Sequence, residues 1–320
     1  MHFALRRTGA ALITVFLVSV FSFLAFSVIR GDPAIVALGL DATEQQLQDL
    51  RHQMGLDGSI PVRYFNWLSG FFMGDLGQSV HFHGESVSSL VSERLPVSFF
   101  LSLLALCLTV MIALPFSMFS VRRENGIADK AASAATAFGI SIPNFFLGVL
   151  LIWVFAIGLR FFEVGSYIDY RVDFAGFIVA LLFPALAIAV PNAAILAKFL
   201  RASLFKEQRG DYFRTARSKG ATLPHALRRH ALRNAIIPSI TVMGMIIAET
   251  FSGSIIIEQV FAVPGIGRLL IAAITSRDYP VIQAVVVMIA ITVIVANTLV
   301  DIAIQIIDPR IKLDGSVAKR

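Results

Sequence analysis

The sequence predicts an all-α membrane protein with six transmembrane helices. Hydrophobic residues make up 57% of the chain and charged residues only 15%, whereas soluble domains carry about 25% charged residues. The apolar residues form six blocks, each long enough to cross a bilayer, which takes about 20 residues in a helix. The predicted spans are residues 9–29, 97–121, 131–161, 175–196, 236–257 and 281–307.

The first span resembles a signal peptide, because Arg6 and Arg7 precede it. However, its apolar stretch exceeds the roughly 7–15 residues of a signal-peptide core, and no small-residue cleavage motif follows. We therefore expect a retained membrane anchor.

The distribution of Lys and Arg predicts the orientation. With the N-terminus in the cytoplasm, the predicted cytoplasmic segments hold 19 of the 27 Lys and Arg residues, as the positive-inside rule requires. Both termini and residues 198–235 are then cytoplasmic, and residues 30–96 are external. The same bias explains the net charge of +6. Nucleic-acid binding is not expected, because no basic segment is interleaved with aromatic residues.

The expected organisation has two parts. Residues 1–96 form an N-terminal transmembrane helix with an external loop, and residues 97–320 form the core with a cytoplasmic loop at 198–235. In the external loop, Thr43 and Gln46 have the spacing of a capping box, and Gly55 provides a helix stop. A second helix after Pro61 carries an aromatic face: Tyr64, Trp67 and Phe71, beside Leu68.

The cytoplasmic loop contains a short basic helix. Asp211 is a favourable N-cap and Gly220 a favourable residue just beyond the C-cap. A new helix is expected to start near Thr222, with Pro224 in its first turn, and to continue into the fifth span. The short helix has too few apolar residues to insert into a membrane. Its pattern fits docking to a partner protein and fits equally a basic helix resting on anionic lipid headgroups.

Small residues four apart predict close helix packing. One such series is Ala131, Ala135 and Gly139, and another is Gly244, Ala248 and Ser252. Prolines are expected to interrupt the spans, as is tolerated where neighbours satisfy the freed carbonyl groups: Pro115, Pro143, Pro184, Pro191 and Pro238. Cys107 lies in an apolar run and is interpreted as a small packed hydrophobe.

Residues 211–238, DYFRTARSKGATLPHALRRHALRNAIIP, resemble the EAA loop of ABC-importer permeases, in the form used by the dipeptide/oligopeptide/nickel permease family. Arg214, Thr215 and Ala216 stand where the Glu-Ala-Ala triplet lies, and Gly220 matches its glycine. The chain departs from the wider signature, which has a proline near Arg233; the R-T-A-R-x-K-G and H-A-L-R-N-A forms look like the peptide subfamily.

Other family-like signatures cover nearly the whole chain in the same order. They are Gly31-Asp32-Pro33, Leu56-Asp57, Gly74-Asp75-Leu76-Gly77, Arg94-Leu95-Pro96, Ser141-Ile142-Pro143-Asn144-Phe145, Val260-Phe261, Pro264-Gly265-Ile266-Gly267, Arg277-Asp278-Tyr279-Pro280-Val281-Ile282-Gln283 and Asp308-Pro309-Arg310.

The resemblance implies a type I ABC importer permease in the cell (inner) membrane, importing peptides. The implied partners are a second permease subunit (a paralogue), two cytoplasmic ATPases, an extracytoplasmic binding protein and membrane lipid. Nickel or metal-chelate uptake and glutathione or opine uptake are alternatives within the same family. The chain contains no G-x-x-x-x-G-K-[ST] motif. We therefore expect no cofactor on this chain, with ATP and Mg²⁺ bound by the ATPases.

The resemblance assigns ATPase coupling to the short helix and its turn: Tyr212, Phe213, Arg214, Thr215, Ala216, Arg217, Lys219 and Gly220. Glu249, in the middle of the fifth span, is a candidate for lining the pathway, where it would meet a peptide's amino terminus; the alternative is a buried structural carboxylate. Asp301, one turn after Asn297, is expected to pair with a cation or backbone.

His81 and His83 alternate in the external loop, but two histidines without a third ligand do not predict a metal site. Two other classes of membrane protein would have different sequence patterns. A secondary transporter would show internal repeats and coupling carboxylates in paired broken helices. An intramembrane enzyme would show H-E-x-x-H, G-x-S-x-G or paired catalytic aspartates in its spans. The sequence shows no convincing repeat, only two carboxylates inside the predicted spans, and none of the enzyme motifs.

Overall fold

The computed structural model describes residues 2–28, 42–53, 58–82, 84–122, 124 and 126–307. Regular structure in these ranges is helical, apart from an isolated antiparallel bridge between Gln78 and Ser86. The helices are α1 (His2–Val28), α2 (Glu44–Gln53), α3 (Ile60–Met73), α4 (Val87–Ser120), α5 (Ile127–Ser141), α6 (Asn144–Leu151, continued by a π-helical segment Ile152–Gly158), α7 (Phe174–Ala180), α8 (Leu182–Gln208), α9 (Asp211–Ser218), α10 (Leu223–Ala226, continued by a π-helical segment Leu227–Ala231), α11 (Leu232–Val260), α12 (Ile266–Ser276) and α13 (Tyr279–Ile307).

The expected all-α membrane class is confirmed. Within the described residues, five helices are long and apolar enough to cross a membrane. A sixth span is obtained if α5 and α6 with its π-helical continuation are counted as one broken span.

The third predicted span, residues 131–161, is not one straight helix. The chain bends by 98° between Ser141 and Asn144. Ile142 is extended, with φ −86° and ψ 121°, and Pro143 is the N-cap of α6. A residue before proline is pushed out of the helical region by the proline ring, which explains why α5 ends here.

Of the other prolines, Pro115, Pro191 and Pro238 do not interrupt their helices, contrary to expectation, whereas the predicted span 175–196 is interrupted at Leu181, three residues before Pro184. Pro191 lies inside α8 and Pro238 inside α11, Pro115 lies inside the continuous α4, and Pro184 is in the first turn of α8. Proline removes one backbone donor, and long membrane helices tolerate this loss where neighbouring groups satisfy the freed carbonyl.

The described residues group into two compact units. One contains the residues up to Phe99 together with Val263–Val295, and the other contains Phe100–Ala262 together with the residues from Ala296 on. The core of the first unit is formed by Leu76, Val87, Leu90, Val91, Ile266, Leu269, Ala273, Val281, Ile282, Ala284 and Val285.

Asp278 joins two elements of the first unit. The side chain is completely buried, and its Oδ2 accepts hydrogen bonds from the Ser79 hydroxyl and, at 3.0 Å, from the backbone amide of His81. The turn containing Ser79 is thereby tied to the residue that precedes α13. The sequence interpretation gave Asp278 no role.

The loop helices after α1 form as predicted. The Thr43 amide donates to Gln46 Oε1 at 2.9 Å, and the Gln46 amide donates to Thr43 Oγ1 at 3.3 Å, which completes the capping box. The predicted Gly55 stop lies outside the described residues. The aromatic face of α3 packs on α1, where Tyr64 hydrogen-bonds Ser19 at 2.9 Å and contacts Phe23.

The second unit is held by close contacts among α5, α8 and α11. Of the packing face predicted for α5, Gly139 is buried as expected, but Ala131 and Ala135 are exposed and Ala132 and Thr136 are buried instead. A Cβ at Gly139 would lie 2.7 Å from the Ala194 methyl group, so α5 and α8 approach as closely as glycine allows.

Candidate functional site

The short helix α9 lies between the fourth and fifth predicted spans. Its N-cap is Gly210, in an extended conformation, and Asp211 is the first helical residue rather than the predicted cap. Asp211 therefore lies in the first turn, where its negative charge interacts favourably with the positive end of the helix dipole. Arg214 approaches it at 3.9 Å, and both side chains are well exposed.

The C-terminus of α9 is a Schellman turn. The Gly220 amide donates to the Arg217 carbonyl at 3.0 Å, and the Ala221 amide donates to the Ala216 carbonyl at 3.2 Å. Gly220 has φ +89°, as its predicted role requires. A helix N-cap at Thr222 follows, with Pro224 in the first turn of α10 as predicted.

Phe213 anchors α9 to the rest of its unit. Its side chain is only 5% exposed, so it packs inside this chain rather than being available to another protein. The cluster around it consists of Val121, Leu200, Leu204, Ala226, Leu227, Ala231 and Ala235.

The remaining predicted coupling residues lie at the surface, except for the half-buried Ala216. They are Tyr212, Arg214, Thr215, Arg217, Lys219 and Gly220. Three of these side chains are cationic, so α9 offers a small positively charged surface held in place by one buried aromatic ring.

Tyr212 connects α9 to the helices on either side of it. Its hydroxyl donates to Glu207 Oε2 near the end of α8. Asn234 Nδ2, in the first turn of α11, donates to the Tyr212 oxygen at 3.2 Å and to Glu207 Oε2 at 3.4 Å. Burial raises the pKa of the Tyr212 phenol above its ordinary value of 10.0, and the hydrogen bond to Glu207 raises this pKa further.

A buried ion pair holds α8 near its C-terminal end. Arg201 is 6% exposed, and its Nη2 binds Asp129 Oδ1, the Asp129 carbonyl at 3.1 Å and Ser133 Oγ at 3.0 Å. The sequence interpretation counted Arg201 only as one cytoplasmic cation. Nothing in the local sequence reveals a partner so far along the chain.

Glu249 is exposed on α11, so the alternative of a carboxylate buried within this chain does not hold. The adjacent Thr250 is fully buried; its hydroxyl donates to the Ile246 carbonyl at 2.7 Å and accepts from Asn192 Nδ2 of α8 at 3.2 Å. This bond fixes the rotation of α11 and therefore the direction of Glu249.

Other polar residues of the helices are buried or half-buried. Glu258 is completely buried near the end of α11, one residue beyond the predicted span, and the sequence interpretation did not consider it. Asn297 and Asp301 are half-buried on α13. His81 is exposed, and His83 lies outside the described residues, so the prediction that they hold no metal stays a prediction.

Comparison with known proteins gives a consistent result along the chain. Residues 1–102 match the family described as "Binding-prot-dependent transport system membrane comp, N-term", and residues 98–313 match "Binding-protein-dependent transport system inner membrane component". The chain is 38% identical over 310 residues to "Probable peptide ABC transporter permease protein y4tP" of Sinorhizobium fredii, covering 97% of this chain and 99% of the relative. It is 33% identical over 312 residues to "Oligopeptide transport system permease protein AppB" of Bacillus subtilis, with 97% and 99% covered.

Proposed function

The chain belongs to the family of binding-protein-dependent transport system inner membrane components, and from this premise we propose that it forms half of the passage of an ABC importer for di- and oligopeptides. The observation that carries the proposal is similarity over nearly the full length to permeases named for peptide transport. The chain is a multi-pass membrane protein, and ATP hydrolysis takes place on partner subunits that bind ATP and Mg²⁺.

The proposed partners are two cytoplasmic ATPases, a paralogous permease and an extracytoplasmic binding protein. The exposed face of α9 supports an ATPase contact, because Arg214, Arg217 and Lys219 offer positive charge to acidic groups of the partner. Phe213, buried beneath them, holds the helix rigid. A push on α9 is then transmitted to α8 and α11 instead of being lost in a flexible loop.

Reconstitution tests the proposal. The permease, its paralogue and the ATPases are inserted into lipid vesicles, and uptake of a labelled oligopeptide is followed with the binding protein present. We expect uptake that requires ATP, stops with vanadate and is absent when the ATPases are left out. Uptake driven by a proton or sodium gradient without ATP would show a secondary transporter instead. Uptake of a nickel chelate or glutathione but no peptide would reassign the substrate.

A further inference from the structure

From Pro238 onward, the exposed residues of α11 form a single stripe. Between residues 236 and 260 they fall within an arc of about 80° when each residue advances by 100°. They are Pro238, Thr241, Met245, Glu249, Ser252, Ile256 and Gln259. Four of the seven carry a hydroxyl, an amide or a carboxylate, spread over most of a helix that is long enough to cross a membrane.

The exposed residues of α4 have a different chemistry. Its exposed residues between 97 and 120 carry no hydroxyl, amide or charge: Phe99, Leu103, Cys107, Val110, Met111, Pro115 and Phe119. Its hydroxyl groups are buried instead, at Ser98, Ser102, Thr109 and Ser117. This is the pattern expected of a helix facing lipid, since polar groups are costly in hydrocarbon. The α11 stripe does not fit a lipid environment.

The α11 stripe also differs from a helix-packing face. Membrane helices that pack closely use small residues, as α11 does where a Cβ at Gly244 would lie 2.9 Å from Val300. The stripe instead exposes 71% of Met245 and 51% of Ile256, beside the long side chains of Glu249 and Gln259. Large flexible side chains mixed with polar groups suit a water-filled passage.

We propose that this stripe lines the peptide passage and that Glu249 receives the ammonium group of the peptide's amino terminus. The proposal rests on the function proposed above, and it adds which residues line the passage and which group binds the peptide. A carboxylate and an ammonium form a charge-assisted hydrogen bond. Thr241, Ser252 and Gln259 each donate and accept, so they bind the peptide backbone whatever its side chains are. Met245 and Ile256 give apolar contact to those side chains.

Cysteine accessibility tests whether the α11 stripe lines a water-filled passage. In a Cys107→Ala background, single cysteines are placed at Thr241 and Ser252, with Leu103 and Met111 of α4 as matched controls that are exposed in this chain but apolar. A charged methanethiosulfonate reagent reacts with thiolates, which form only where water reaches. We expect both stripe positions to react, reaction to slow when peptide and binding protein are added, and both α4 positions to stay unreactive. Unreactive stripe cysteines, or equal reaction on both helices, would overturn the proposal.

Glu249→Gln tests the ligand group. We expect the variant to co-purify with its ATPases as the wild type does, and its peptide uptake to fall about tenfold. Glu249→Asp should recover most of that loss. Unchanged uptake, or loss of assembly, would contradict the assignment. Wild-type vesicles separate the two proposals: if they show no ATP-dependent uptake the proposed function fails, whereas normal uptake with unreactive stripe cysteines defeats only this inference.

Discussion

Tyr212 is the one residue of α9 whose side chain bonds the ends of both flanking long helices within the described residues. Its hydroxyl meets Glu207 of α8 and Asn234 of α11, while Phe213 beside it is buried against apolar residues. The burial of Phe213 therefore stabilises the position of α9, and the hydrogen bonds of Tyr212 fix the orientation of α9 relative to α8 and α11. A displacement of α9 therefore reaches both long helices through the Tyr212 oxygen as well as through the packing of Phe213.

Replacing Tyr212 by Phe removes that oxygen and keeps the ring. The change breaks two hydrogen bonds, the one to Glu207 and the one from Asn234, while the direct bond from Asn234 to Glu207 remains and offsets part of the loss. The net cost is about 1 kcal/mol, which corresponds to about fivefold in an equilibrium. We expect the complex to assemble normally and the ratio of ATP hydrolysed to peptide imported to rise about fivefold. Parallel assays of hydrolysis and uptake in the same vesicles measure this ratio.

The matched control is Ser218→Ala, which removes an exposed hydroxyl from the same helix. Because the pKa of Tyr212 is raised above 10.0, its phenol stays protonated and the link is intact below that pKa and lost only as pH rises through it. The effect of Tyr212→Phe should therefore be the same from about pH 6 to about pH 9. Equal ratios for the two variants, or an effect that varies over this pH range, would contradict the role given to the hydroxyl.

The sequence interpretation did not predict the roles of residues whose partners lie far away along the chain. Arg201 pairs with Asp129, and Asp278 bonds Ser79. These partners come together only through helix packing, and no local spacing encodes them. By contrast, Gly220 and the Thr43 capping box were predicted correctly, because those interactions span only a few residues.

At the scale of elements, the turn after α9 shows how backbone chemistry specifies a local structure. Two hydrogen bonds close it, and both need the residue after the C-cap to have positive φ. A Cβ at Gly220 would meet nothing within 4 Å, so space is not the constraint. Glycine is required here for its φ of +89° alone.

Gly220→Val and Gly220→Asn form a matched pair, because both add a side chain in open space and only asparagine readily accepts positive φ. Valine should cost about 1–3 kcal/mol and misdirect α9. We expect a membrane-inserted permease that loses its ATPases on detergent extraction, or keeps them but hydrolyses ATP without uptake. Asparagine should retain most uptake. If valine left uptake and ATPase association at wild-type levels, α9 would not be the coupling element.

Helix boundaries in the membrane were predicted less well than the turn. Five prolines were expected to interrupt spans, but among the described residues Pro143 is the one at which the chain bends sharply. The same residue type is accommodated within α8 and α11. The difference lies in whether the preceding residue stays helical and whether neighbours satisfy the freed carbonyl group, and both depend on packing.

At the scale of the whole molecule, hydropathy predicted the number of apolar blocks but not the faces by which helices pack. A helix that is apolar all round has no hydrophobic stripe to indicate its buried side. On α5, Gly139 was assigned correctly, but Ala131 and Ala135 were therefore assigned to the buried face in place of Ala132 and Thr136. Exposed polar residues are more informative, as on α11, since lipid tolerates them poorly.

The orientation in the membrane follows from cations and remains a prediction. Lys and Arg concentrate in the segments assigned to the cytoplasm. Arg201 is buried and paired with Asp129, so it contributes little to the charge of the cytoplasmic segments. The excess of Lys and Arg in those segments remains when Arg201 is left out. The loop that carries α9 and the N-terminal end of α1, with Arg6 and Arg7, should therefore share one side, and α3 should lie on the other.

Two single cysteines in the Cys107→Ala background test this arrangement. Ser59, the exposed N-cap of α3, and Thr215, exposed on α9, are each replaced by Cys. In intact spheroplasts a membrane-impermeant maleimide should label the Ser59→Cys protein and leave the Thr215→Cys protein unlabelled until the membrane is permeabilised. The expected contrast has a direct physical cause, because moving the strongly basic loop across the membrane is disfavoured. Labelling of Thr215→Cys in intact spheroplasts, with Ser59→Cys protected, would invert the topology and remove α9 from the reach of any cytoplasmic ATPase.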